Sequence, residues 1–237
     1  MKRQIISGLT ITLILTAAAF GAPENAVKQP PVSGGKITIR IRDYARADSS
    51  VRQRAEQVAG EILDKAGADA RWIECPVGSP STGPCASPLS SLVLVVNLLP
   101  RSMSDRLHRG GGVLGFAIEA DDSQFAYVAS IFYDEVKDRA EERQLNFGEL
   151  LGDVLAHELG HLLLGTNSHS SSGLMSAFWS GNKLRLAARG YLTFTNAEAK
   201  RIYAAMAARA LATAPSADAS ASNRTEPTDE QIGSWNH

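Results

Sequence analysis

Only two cysteines, five histidines and 6% aromatic residues occur among the 237 positions of this chain. Beyond the first twenty residues no long apolar run exists, which excludes a polytopic membrane protein. There is no collagen-like period and no sustained heptad, so a fibre is excluded as well. Basic residues are not in excess: 24 Lys and Arg face 25 Asp and Glu, for a formal charge of −1. They are also scattered, so a nucleic acid finds no electrostatic footprint. No G-x-S-x-G elbow is present, and the cysteines have a structural use, so a serine or cysteine nucleophile has no support. What remains is an ordinary globular composition, 44% hydrophobic and 21% charged, at a length that suits one domain or at most two small ones.

The chain opens with Met1-Lys2-Arg3, followed after Gln4 by a mostly apolar run from Ile5 to Phe20. Ala19-Phe20-Gly21 offers small residues where a signal peptidase reads them, so residues 1–21 are expected to be a signal peptide. An uncleaved anchor helix fits less well, because Ser7, Gly8 and three threonines interrupt a run already short for a span. No cysteine follows for lipid attachment. Cleavage removes Lys2 and Arg3 and no acid, leaving an exported, mildly acidic chain with no stable membrane partner. In that compartment Cys75 and Cys85, separated by a loop of Pro, Gly, Ser and Thr, are expected to form one disulfide that staples the loop.

Residues 22–35, with Pro23, Pro30, Pro31, Gly34 and Gly35, have the composition of a flexible linker. Lys36 to Arg42 alternates apolar and polar residues with the period of a half-buried strand. Asp48-Ser49-Ser50 offers caps to a helix that presents Val51, Ala55, Val58, Ile62 and Ala66 on one face and stops at Gly67. Arg71–Glu74 makes a short strand. Leu92–Val96 is continuously apolar, as in a central strand buried on both faces. Two more strands are expected at Val113–Glu119 and Phe125–Tyr133, then a charged, solvated helix at Asp134–Gln144. Asn146 caps a strongly apolar helix from Phe147 to about Leu164, with Glu149 as partner for the cap. Thr195 and Glu198 form a capping box for a last helix, Asn196 to about Leu211. From residue 213 to 237 Ala, Ser, Thr, Asp and Pro dominate, the composition of a disordered tail. The order predicts one α/β (α+β) domain around a mixed twisted sheet, with a long helix carrying the site and a small C-terminal helical part.

His157-Glu158-Leu159-Gly160-His161 lies inside the apolar helix. Residues four apart stack one turn above each other, so the two imidazoles point the same way and can hold one Zn²⁺. Glu158 is rotated by about 100° from His157 by the helical repeat, which puts its carboxylate beside the ion rather than on it. There it can accept a proton from a water. Two histidines and a glutamate buried among leucines without a partner would be costly, which argues against accident. Gly165 supplies a helix stop, and the chain can then reverse through Thr166-Asn167-Ser168 to bring His169 back as third ligand.

At this point the sequence resembles the metzincin zinc endopeptidases. The matching pieces are HELGH at 157–161, a following glycine and histidine, and Gly173-Leu174-Met175-Ser176, which is similar to the family's Met-turn. The resemblance covers roughly residues 36–212 and implies a zincin fold, a zinc cofactor held by His157, His161 and His169, and Glu158 as general base. It implies hydrolysis of a peptide or protein substrate. It also implies that Val113–Ala117 is the sheet edge along which the peptide pairs, with Phe178 and Trp179 walling the leaving-group side. The spacing departs from the family pattern, which puts glycine three and histidine six residues after the second histidine. Here Gly165 comes at four and His169 at eight, Asn167 takes the usual histidine position, and Ala177 stands where some members carry a tyrosine. That departure supports one rival reading: a non-catalytic exported protein that binds zinc or a partner on the same fold.

Other residues have blander explanations. Glu198 could ligate from a later helix, but its capping box accounts for it. Asp153 shares a stripe with both histidines and could orient one, or could complement the helix dipole. His108, between Arg106 and Arg109, has the setting of a surface residue, and His237 ends the tail.

Overall fold

The computed structural model describes residues 35–78, 82–107, 112–118, 125–165 and 167–213. The expected leader, nearly all of the linker and tail, His108 and His237 lie outside these residues.

Three parallel strands begin the domain: β1 (Gly35–Asp43), β2 (Ala68–Cys75) and β3 (Val93–Leu99), with helix α1 (Ser49–Lys65) between the first two. A short helix α2 (Arg101–Arg106) and the strands β4 (Gly115–Ile118) and β5 (Val128–Phe132) follow. The sheet order is β2-β1-β3-β5-β4, parallel except that β4 runs antiparallel to β5 at one edge. Helices α3 (Tyr133–Arg143), α4 (Phe147–Leu164), α5 (Gly181–Ala187) and α6 (Asn196–Thr213) complete the chain. This is the mixed α/β arrangement expected, with the apolar β3 at the centre of the sheet.

Alternation along β1 puts Ile37, Ile39 and Ile41 into the main core beneath α1 and α4. The same alternation predicts a wet opposite face, yet Arg40 and Arg42 are buried too. Arg40 lies directly across from Val95, and Val95 belongs to a second small apolar cluster with Tyr127 and Val128 that covers that face.

Asp48 accepts from the Ser50 and Val51 backbone N–H groups at the start of α1, as its position before the apolar stripe predicts. Asn146 does the same for α4 through the Glu149 N–H at 3.0 Å. The Glu149 carboxylate, however, does not return to the cap. It binds Arg54 of α1 at 2.8 Å, joining the two helices. They approach closely because residue 152 is glycine: a Cβ there would lie 2.5 Å from Val58 Cβ.

Helix α3 is less solvated than its charges suggest. Tyr133, Val136 and Ala140 form a buried stripe, which pins the helix against the core and fixes where its arginines point. Helix α6 returns to the sheet, where Arg209, almost wholly buried, donates to the carbonyls of Ser91, Ala126 and Leu162. The Cys75–Cys85 disulfide is formed. Among the described residues no helix is long and apolar enough to cross a membrane.

Candidate metal centre

Helix α4 carries His157 and His161 one turn apart on one face, their ring centroids 4.8 Å from each other. Their Nε2 atoms are 3.1 Å apart. Two nitrogens bound tetrahedrally to one zinc at the usual bond length are about 3.3 Å apart, so the pair is spaced for a shared ion.

The second ring nitrogens are already used. His157 Nδ1 lies 2.8 Å from the Leu174 carbonyl. A carbonyl only accepts, so the proton sits on Nδ1 and Nε2 keeps its lone pair for a metal. His161 Nδ1 is 3.2 Å from Ser168 Oγ. Burial, reinforced by the neighbouring histidines, lowers the pKa of both His157 and His161 to about 4. Both rings are therefore neutral at physiological pH, the form that ligates.

His169 comes from the chain that follows α4. Gly165 ends that helix with φ 101°, its N–H bonded to the His161 carbonyl at 2.9 Å. Beyond the turn, the Ser170 N–H donates to the Met175 carbonyl at 2.8 Å, which tethers the residue next to His169. The altered spacing therefore does not carry His169 away. Its ring centroid is 4.7 Å from that of His161 and 5.6 Å from that of His157. One potential ligand atom from each of the three histidines lies within 4.8 Å of the others.

The turn at 173–176 lies directly beneath. Leu174 N–H donates to the Thr193 carbonyl, while its own carbonyl accepts from His157 and from Trp179 Nε1 at 3.3 Å. Met175 is fully buried and its sulfur presses on Gly160, where a Cβ would be only 2.5 Å from Sδ. The glycine between the histidine positions is thus what admits the methionine. An isolated glycine within a helical run is the sequence signal for this close approach, though not for its partner.

Glu158 is 5% exposed and its Oε2 finds no hydrogen-bond partner among the described residues. Burial pushes its pKa up to about 8. The edge strand closes over it at Gly115, where a Cβ would be 2.9 Å from Glu158 Cγ and Oε1 and from the Ser130 carbonyl. Glycine in a strand marks such an approach, although the periodicity of the segment does not single this one out. Gly115→Ala should displace the Glu158 carboxylate or shift strand β4 away from Ser130, and a structure of the variant with both unmoved would mean that β4 does not set the position of this side chain.

An open cleft of about 670 Å³ runs between β4 and the segment after Met175, lined by the three histidines, Glu158, Trp179 and Leu184 among others. Phe178 stands at its rim, 87% exposed. Glu198 is not part of the histidine group. Its Oε2 accepts from the Thr195 N–H at 2.7 Å and its N–H reaches Thr195 Oγ1 at 3.3 Å, the capping box in full. Asn167 lines a separate hollow with Glu198 and Arg201.

Asp153 orients neither histidine, since both Nδ1 atoms have other partners. It is fully buried, and neither oxygen has a hydrogen-bond partner among the described residues. Burial, then the Glu149 charge, pushes its pKa up to about 8 from an ordinary 3.8. The folded chain thus holds a proton there that the unfolded chain has lost between those two values, and stability falls as pH rises through that window, by about 1.4 kcal/mol per pH unit at most. Asp153→Asn should match wild type near pH 4 and exceed it near pH 8 in denaturant titrations of the metal-free protein. Parallel pH profiles for the two would contradict this.

The chain matches no protein-family model, and no curated protein matches its sequence. Among solved structures it is similar to the archaemetzincin from Methanopyrus kandleri, with 14% identity and a TM-score of 0.43, over 75% of this chain and 98% of that one.

Proposed function

We propose that the protein is an exported zinc-dependent endopeptidase of metzincin type, with His157, His161 and His169 as the metal ligands and Glu158 as general base. One observation carries this reading: three imidazoles bring a ligand atom each within 4.8 Å of one another while a buried carboxylate beside them has an oxygen without a partner among the described residues. A structural metal site needs ligands and no base, and a base facing an open cleft favours catalysis over the rival reading of a non-catalytic zinc-binding protein.

Zinc bound there would acidify a water and polarise the scissile carbonyl. The rest falls to the chain's own residues. The exposed edge of β4 offers backbone N–H and C=O groups to an extended peptide lying along the cleft. Glu158 accepts the proton of the attacking water and passes it to the leaving amine. The Leu174 carbonyl keeps the His157 ring in the ligating tautomer, and the Ser170–Met175 hydrogen bond holds the strand that presents His169. Trp179, its ring centroid 5.6 Å from that of His157, walls the cleft beside the reacting bond.

Removal of metal by a chelator should abolish cleavage of an unstructured protein substrate such as casein, and addition of zinc should restore it. Cleavage that survives complete metal removal, or a zinc-loaded protein that cleaves neither casein nor a broad peptide library, would end the peptidase reading.

A further inference from the structure

The cleft has a cation on its wall that the chemistry above leaves unused. Arg139 lines it at the end formed by Gly112, the start of the β4 segment. The buried stripe of α3 directs this side chain there, and its Nη2 lies 3.4 Å from where a Gly112 Cβ would be, so the guanidinium rests against the bare backbone of that wall. Four residues on, Arg143 Nη1 takes the matching place against Gly181 at 3.6 Å, just after the cleft-lining Ser180. Lys183, which does not itself line the cleft, donates through Nζ to Oγ of the cleft-lining Ser176 at 2.6 Å.

Among the described residues that line the cleft, Arg139 is the one Lys or Arg and Glu158 the one acid. Arg139 has one anionic partner among them, Glu142, which reaches only Nε, at 3.6 Å, from an exposed position three residues along the same helix. An exposed pair of that kind contributes little and exchanges readily. It leaves the two Nη groups free to form the fork that carboxylates bind bidentately. The Arg139 side chain is 29% exposed, sheltered enough for a charge-assisted hydrogen bond to keep part of its strength and open enough for a ligand to enter.

We infer that Arg139 forms a carboxylate-recognition subsite in the cleft, which selects peptides carrying an acidic group a fixed distance from the bond cleaved. That group is an Asp or Glu side chain or a free C-terminal carboxylate. The inference rests on the peptidase reading for its substrate, but its test does not need cleavage.

Zinc-loaded Glu158→Gln protein is titrated by fluorescence anisotropy with labelled octapeptides in which Glu or Gln is scanned through every position, each as C-terminal acid and as amide. At one position the Glu peptide should bind about 10- to 100-fold tighter than its Gln twin, the range of a charge-assisted hydrogen bond. If the C-terminal carboxylate is the ligand, acid and amide should differ instead. Adding Arg139→Gln should bring the ratio to near one, and Arg139→Lys, which keeps the charge but not the fork, should leave an intermediate ratio. Ratios near one both for Glu against Gln at all positions and for acid against amide, or a ratio that survives Arg139→Gln, overturn the subsite. The two readings fail separately: wild-type protein that binds the acidic peptide but never cleaves it sinks the peptidase and leaves the subsite. Equal kcat/KM for the Glu and Gln peptides, and for each acid and its amide, sinks the subsite and leaves the peptidase.

Discussion

Replacement of Glu158 by Gln is expected to lower kcat by about 10²- to 10⁴-fold, the usual contribution of a positioned general base, while one zinc per chain is retained. The substituted amide fills nearly the same volume against Gly115 as the carboxylate does, so the edge strand has no reason to move. It cannot accept a proton at neutral pH, and KM should change much less than kcat because the cleft walls are untouched. The opposite pattern, loss of zinc with loss of activity, would make the carboxylate a ligand instead. Full activity in this variant would place the base elsewhere, and no other carboxylate lines the cleft among the described residues.

His169→Ala carries the second large effect. Unlike His157 and His161, this ring is exposed and comes from a turn rather than from a helix, so its removal leaves α4 and the core as they are. Zinc affinity should fall by more than the 10- to 100-fold typical of losing a group that merely supports a ligand, with little change in the thermal midpoint of the metal-free protein. His161→Ala should also lose zinc, but it empties a buried position and costs stability as well. A His169→Ala protein with wild-type zinc affinity would reduce the site to a two-histidine pair and favour the rival, non-catalytic reading.

The parts of this structure legible in the sequence are those governed by local periodicity. Helix α4 with its Asn146 cap, the capping box at Thr195 and Glu198, the alternation of β1 and the apolar β3 all follow from spacing along one element. So does the alignment of His157 with His161. Short helices are not legible: α2 and α5 have six and seven residues and no side-chain cap at either start, so neither leaves a periodic signal. The burial of Arg40 is hidden because its neighbour Val95 arrives from another strand, β3. The order of residues alone points His169 toward the site, and its arrival depends on the Ser170–Met175 hydrogen bond across the turn. Gly115 and Gly160 show the same limit from another side. A glycine announces that something comes close, but Glu158 and Met175 are identified only once the sheet edge and the turn are in place.

The decisive measurement for the three-histidine site is diffraction from zinc-loaded crystals at the zinc absorption edge. A single anomalous peak is expected about 2.0–2.1 Å from a ring nitrogen of each of His157, His161 and His169, with Glu158 close by but outside bonding distance. A peak that lies away from the histidine group, or that draws in Glu158 or Glu198 while His169 stays apart, would contradict it.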